Sequence, residues 1–199
     1  MSWLVNNEPL IRLGVFFSVF AIMLLCEARF PKRDVLQNQP WRRRLTNISL
    51  SILNTAALRA LPFISAVAAV NLAENNHFGL FNLSDVFANS PWFWLALIVS
   101  VLLLDLCIYF QHRVFHYIPW LWRLHRVHHS DEHFDTTTAI RFHPLEIMLS
   151  MLIKFIVVLM IGAPVEAVIL FEIILNSGAL FNHGNLALKA KTDAVLRLF

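Results

Sequence analysis

The stretch His112-Arg-Val-Phe-His116, continued by His125-Arg-Val-His128-His129, decides the reading of this chain. Five histidines fall within eighteen residues, and long apolar runs flank them on both sides. Residues four apart on a helix share a face about one turn apart, so His112 and His116 can address a single ion. His125 and His129 share a face in the same way, and His128 sits one position round from His129. Neutral imidazole binds zinc, iron, copper and nickel, so the residue type implies a metal without naming it. A lone histidine at a helix end is usually a hydrogen-bonded polar residue. Five at these spacings point to metal binding.

The composition is that of a membrane protein. The 199 residues are 58% hydrophobic and 15% charged, with a mean hydropathy of +0.62. A soluble domain runs at about 45–50% apolar and about 25% charged. The net charge is +3, and the basic residues are clustered rather than spread. The aromatics are mostly phenylalanine in apolar runs, which suits lipid contact and argues against nucleic acid as a partner. Cys26 and Cys107 both lie in apolar runs and read as small buried residues, with no cysteine-based metal pattern.

The apolar runs predict an all-α, multi-pass membrane bundle of about four to five apolar helices, capped by the histidine region. The whole chain reads as one integral-membrane domain, with amino-terminal spans over 1–91 and the histidine-box region over 92–199. Leu10–Cys26 makes a first span if Arg12 snorkels to the interface. A basic segment follows, with Arg29, Lys32, Arg33, Arg42, Arg43 and Arg44, broken by Pro31 and Pro40; it reads as a topogenic signal. Ile48–Val70 is expected to be a second span, with Arg59 near its middle facing the bundle interior. The loop Asn71–Pro91 has no Lys or Arg. Trp92–Phe110 then runs directly into the histidines. Asp105, Tyr109, His112 and His116 follow at steps of four, three and four, on one stripe. Asp105 can therefore accept a hydrogen bond from a ligand histidine's second nitrogen, or make a plain polar contact between helices. The polar stretch Ser130–Asp135 is expected to leave the helix into solvent. Leu145–Ile161 and Val165–Phe181 form a hairpin through Gly162-Ala-Pro164, and the tail carries Lys189, Lys191 and Arg197. The positive-inside rule puts the basic segment, the histidine region and the tail together on the cytoplasmic side.

At these residues the chain resembles the fatty acid hydroxylase/sterol desaturase superfamily of membrane di-iron oxygenases. The matching pieces are Asp105, His112-x3-His116, Trp120-x-Trp122-Arg123-x-His125-x2-His128-His129-Ser130, Thr137-x3-Arg141-Phe-His143-Pro144-Leu-Glu146 and Asn182-His183-Gly-Asn185. They run from about Ser100 to Leu186. The superfamily's third box, His-x2-His-His, follows the last of these pieces and is absent up to Phe199. The expectation is a member truncated shortly before its last ligands, with a catalytically incomplete fragment as the alternative. The resemblance implies hydroxylation or desaturation of a lipid (sterol, fatty acyl or related) with O2 as cosubstrate. It implies two irons held by His112, His116, His125, His128 and His129, joined by His143 and His183, with Asp105 in support. Electrons would come indirectly from NAD(P)H through a cytochrome b5-like protein or a ferredoxin/reductase pair. The setting would be a bacterial inner membrane or the endoplasmic reticulum, with the active site cytoplasmic. A metal transporter would place its ligands near the bilayer midplane rather than at helix ends.

Overall fold

Four of the helices are long and apolar enough to cross a membrane. They are seen in a computed structural model that describes residues 6–33, 40–83, 87 and 91–196. Arg197 of the basic tail lies outside the described residues. In chain order the helices are α1 (Glu8–Arg29), α2 (Pro40–Arg59), α3 (Ala66–Asn75), α4 (Pro91–Tyr117), α5 (Pro119–His129), α6 (Pro144–Ile161), α7 (Val165–Asn182) and α8 (Ala190–Leu196). Short 3-10 turns punctuate them, and no named strand occurs among the described residues. The four candidate spans are α1, α4, α6 and α7. Leu10, Phe17, Ile22 and Leu25 on α1, and Leu95, Ile98, Leu102 and Leu106 on α4, are all exposed. Apolar side chains on outer faces of this length are what hydrocarbon contact requires. The chain is an all-α integral membrane protein.

The length of α4 positions the histidines. Its 27 residues rise about 40 Å, whereas the hydrocarbon layer is about 30 Å thick. Trp92 and Trp94 mark the entry at one interface. The helix is thus long enough for its last two turns, with His112 and His116, to stand beyond the hydrocarbon at the other.

The hairpin of α6 and α7 forms as the sequence predicts. Gly162 closes α6 in the left-handed region (φ 64°), its N–H bonded back to the carbonyls of Val158 and Leu159. Gly79, also at positive φ (99°), lies on that turn so closely that a Cβ would stand 2.4 Å from the Gly162 nitrogen. The Lys/Arg-free loop is thus packed on the end of the bundle opposite the histidines. Between the ends, Ala66, Ala69 and Val70 of α3 share a core with Leu104, Val158, Ile161, Val168 and Phe171.

Two expectations are corrected. Ile48–Val70 is not one continuous helix. Helix α2 stops at Arg59, Pro62 opens a 3-10 turn, and Ser65 starts α3 by accepting the Ala68 N–H at 3.0 Å. Proline lacks the N–H that a continuing helix needs and disfavours helical geometry in the residue before it. Arg59 consequently lies exposed in the last turn of α2, where the helix dipole favours a cation, and not in the interior. Nor does Arg12 snorkel: it pairs with Glu8 at 2.9 Å and Glu172 at 2.6 Å, and Lys154 also binds Glu172. The charges inside the apolar helices satisfy one another across α1, α6 and α7, as charges within a membrane must.

Gly79→Ala is expected to destabilise the protein by about 1–3 kcal/mol, because the methyl meets backbone and the φ is unfavourable. Gly178→Ala, in the interior of α7 with nothing within 4 Å of the new carbon, is expected to be neutral or slightly stabilising. Thermal denaturation of the two variants in detergent checks the contrast.

Candidate metal centre

Helices α4 and α5 are joined by a sharp bend at Ile118, whose backbone is extended (φ −87°, ψ 120°), with Pro119 opening α5. Proline suits the first helical position, where its missing N–H costs nothing. The bend turns α5 back against the end of α4, so the two histidine motifs face each other. The ligand atoms of His112, His116, His125 and His129 all lie within 4.8 Å of one another. Within each i, i+4 pair the Nε2 atoms stand 3.1 Å apart. A metal–nitrogen bond of about 2.0–2.1 Å gives donor–donor edges of about 3 Å. The four imidazoles therefore fit a transition-metal ion, and their donor set suits iron, zinc or copper.

A second pair lies alongside. His128 Nε2 and His183 Nε2 are 2.9 Å apart, bringing together residues from α5 and the end of α7. His128 and His129 ring centres are 5.1 Å apart, so the pair abuts the four-histidine cluster. Aromatic rings line one side of both, while His112, His116 and His129 stay exposed. Trp122 lies over His116 and His129 at 5.1 and 5.6 Å, Phe142 stacks on His128 at 4.6 Å, and Phe134 stacks on His183 at 6.0 Å.

Three of these rings have their other nitrogen tied down. His125 Nδ1 donates to Glu146 Oε1 at 2.6 Å, His128 Nδ1 to the Arg141 carbonyl at 3.2 Å, and His183 Nδ1 to the Ala179 carbonyl at 2.7 Å. An acceptor at Nδ1 holds the proton there and leaves the Nε2 lone pair for a ligand role. Burial, and then the neighbouring His183, push the His128 pKa down to about 3, the Arg141 carbonyl opposing them. Burial likewise lowers His183, against the Ala179 carbonyl, and lowers His129, where His125 and His116 add to it. Neutral imidazole, the form that binds metal, is thus favoured near neutral pH.

The loop behind α5 is built by charge. Asp131 and Asp135, expected in solvent, are 5% and 1% exposed. Arg43 Nη1 donates to Asp131 at 2.8 Å and Arg44 Nε to Asp135 at 2.8 Å, while Arg43 also binds Asp135. Asn47 Nδ2 and the Thr138 hydroxyl complete Asp131, at 3.1 and 2.7 Å. Asp135 caps the 3-10 turn Thr136–Ile140 through the Thr137 N–H. Arg141 closes the end of α5, its guanidinium bonded to the Val127 carbonyl, Asn47 Oδ1 and Ser130 Oγ. Arg43 and Arg44 are therefore structural members of the histidine cap and not only a charge signal.

Two residues named from the sequence stand apart. His143 caps α6, its Nδ1 accepting the Leu145 N–H at 3.1 Å, and it makes no ring contact with the other histidines. Asp105 is exposed and has no hydrogen bond or ion pair among the described residues. Its stripe does align it with His112, but seven residues of helix separate them by about 10 Å. The carboxylate that reaches a ring is Glu146, 4% exposed. Its sequence signals are its place in the Arg141–Glu146 motif and the i, i+3 step from His143, and neither says which histidine it meets.

The family model for fatty acid hydroxylase matches residues 97–198, just over half of the chain. The chain belongs to the fatty acid hydroxylase family. This match takes in both histidine clusters, Glu146 and His183. Among curated relatives, the human (Homo sapiens) alkylglycerol monooxygenase is 29% identical over 155 residues, covering 75% of this chain and 33% of its own. The alkylglycerol monooxygenase of Caenorhabditis elegans is 38% identical over 53 residues (27% of this chain, 10% of its own). The fatty acid hydroxylase vlmA of Lecanicillium sp is 46% identical over 41 residues (20% of this chain, 11% of its own). The chain spans a third or less of the length of these relatives. No solved structure matches it.

For this fatty acid hydroxylase family member, Glu146→Ala is expected to weaken metal binding about 10–100-fold, the usual cost of losing a ligand's partner. Glu146→Gln, which keeps an acceptor, should lose less, and Asp105→Ala should leave affinity unchanged. Metal titration of purified protein checks the ranking.

A second expectation concerns acid stability. Burial alone would raise the Asp135 pKa, but hydrogen bonds from Thr137 and Arg44, with the charge of Arg43, hold it below the usual carboxylate range. The folded state therefore favours the carboxylate. Its contribution is fully present above the unfolded value of about 3.9 and is lost as pH falls through the lower folded value. Asp135→Asn should lower stability at neutral pH and flatten the acid limb of a denaturation–pH curve.

Proposed function

We propose that this chain carries the metal centre of a membrane lipid monooxygenase. The observation that carries this reading is the convergence of four imidazoles from α4 and α5 on one point, with the His128–His183 pair beside it. His112, His116, His125 and His129 would hold one iron, and His128 and His183 would contribute to a second. His143 and Asp105 are left out of the centre because neither reaches it. Iron bound there supplies activation of O2 with electrons brought from outside. The overall balance is R–H + O2 + 2 e⁻ + 2 H⁺ giving R–OH + H2O. Hydroxylation is preferred to desaturation because the relatives are named monooxygenases and hydroxylases. Their names also favour an alkylglycerol or a fatty acyl lipid over a sterol as substrate.

The chain's own residues have definable parts. Glu146 and the carbonyls of Arg141 and Ala179 keep Nδ1 protonated on three rings and turn Nε2 inward. Phe142 stacks on the buried His128 and shields that ring from water, while Trp122 and Phe134 pack against the others. The four spans bring lipid to the interface where the histidines stand. NAD(P)H would act through a donor, a cytochrome b5-like protein or a ferredoxin/reductase pair. The positive-inside rule supports a centre on the cytoplasmic face, and the membrane would be a bacterial inner membrane or the endoplasmic reticulum.

Full-length protein loaded anaerobically with iron is expected to hold two irons and to hydroxylate an alkylglycerol or fatty acyl lipid when given O2 and a donor. His112→Ala and His125→Ala should lose iron and bring activity to background. Elemental analysis with product analysis tests this. Wild-type protein that binds no iron, or variants that keep full iron and turnover, would refute it.

A further inference from the structure

We infer that Glu27, on the first membrane helix and far from every histidine in sequence, is a positioning residue for the His128–His183 pair. The inference rests on the reading of that pair as a metal half-site.

Glu27 lies near the end of α1 and is only 5% exposed. Its Oε1 accepts two backbone N–H groups, from Thr136 and from Asn185, each at 2.7 Å. The two donors belong to the two segments that aim the pair. Asn185 is two residues beyond His183, in the turn that ends α7. Thr136 opens the 3-10 turn that leads into Arg141, whose carbonyl takes the His128 Nδ1 proton. One carboxylate oxygen therefore ties together the supports of both imidazoles. Buried amides need an acceptor, and no helix or sheet ladder supplies one here.

The rest of α1's end reinforces the same turn. Asn185 Oδ1 accepts the Arg33 N–H at 3.0 Å, and Asn185 Nδ2 donates to the Arg33 carbonyl at 2.9 Å. The Ala187 N–H donates to the Phe30 carbonyl at 2.8 Å. Met23, one turn before Glu27, lies so close to Gly184 that a Cβ there would stand 2.5 Å from its Cε. The end of α1 is thus a floor under the His183 turn. Glu27 makes no contact with a histidine ring, so it acts only through backbone. The four-histidine cluster has supports of its own in the α4–α5 bend and Glu146, neither of which Glu27 touches. Removing Glu27 should therefore loosen one site and spare the other.

Cobalt(II) titration of the full-length protein in detergent tests this, read by equivalents bound and by the visible ligand-field absorption. Wild-type protein is expected to take two equivalents, and His183→Ala to weaken one of them. Glu27→Gln keeps an oxygen acceptor and should stay within about twofold of wild type. Glu27→Asp withdraws the oxygen by one methylene and Glu27→Ala removes it. Both should weaken one equivalent about 10–100-fold, the range for losing a ligand's support, and leave the other unchanged in affinity and spectrum. If Glu27→Ala does not fold, Glu27→Asp decides. Two equivalents of unaltered affinity and spectrum in Glu27→Asp would overturn the role of Glu27. So would equal weakening of both equivalents, which is what a general folding role predicts. A His183→Ala variant that binds cobalt like wild type would instead overturn the metal reading of the pair, and Glu27 with it.

Discussion

Asp131 and Asp135 stand buried directly behind the second histidine motif, and their charge has to be met where it is. An unpaired buried carboxylate is prohibitively unfavourable, and one that is paired must also have its remaining lone pairs filled. Arg43, Arg44, Asn47, Thr137 and Thr138 supply those donors. That requirement draws the start of α2 across to the histidine cap. It fixes Asn47 against Arg141, and so fixes the carbonyl on which His128 depends. A network of this kind tolerates few alternatives, because each omitted partner leaves a buried charge exposed to a low-dielectric surrounding.

The acceptors behind the rings are not alike. His125 faces a carboxylate, whereas His128 and His183 face peptide carbonyls. An anionic acceptor makes an imidazole a stronger donor to metal than a neutral one does. The two histidine groups therefore differ in ring basicity as well as in the number of rings each gathers. In the proposed centre, the half with four rings and the carboxylate would be the better suited to a higher-charged ion.

The bundle was legible from the sequence because its signals are local. Hydropathy marks α1, α4, α6 and α7, Gly162-Ala-Pro164 marks the hairpin, and the i, i+4 spacing of His112 with His116 and of His125 with His129 survives unchanged in three dimensions. The errors arose where a residue's partner is distant. Asp131 and Asp135 read as solvated because their arginines are some ninety positions away. Asp105 read as a histidine partner because face periodicity reports direction round a helix but not distance along it. Glu146 lay inside a quoted motif, yet its bond to His125 depends on how α6 docks on α5. Ile48–Val70 read as one span because window hydropathy passes over Pro62, whose effect is on backbone geometry.

The overhang of α4 also sets an altitude. A centre built on the last two turns of a helix that outruns the hydrocarbon sits at the level of lipid head groups. It does not sit among the tails. A lipid held upright in the leaflet presents its glycerol linkage and first methylenes at that height, while its terminal methyl lies deep below. Such a centre would find the carbons next to the head group by depth alone, and would reach carbons further down only if the lipid were lifted out of its leaflet. The length of one helix would then act as a ruler for the position of attack.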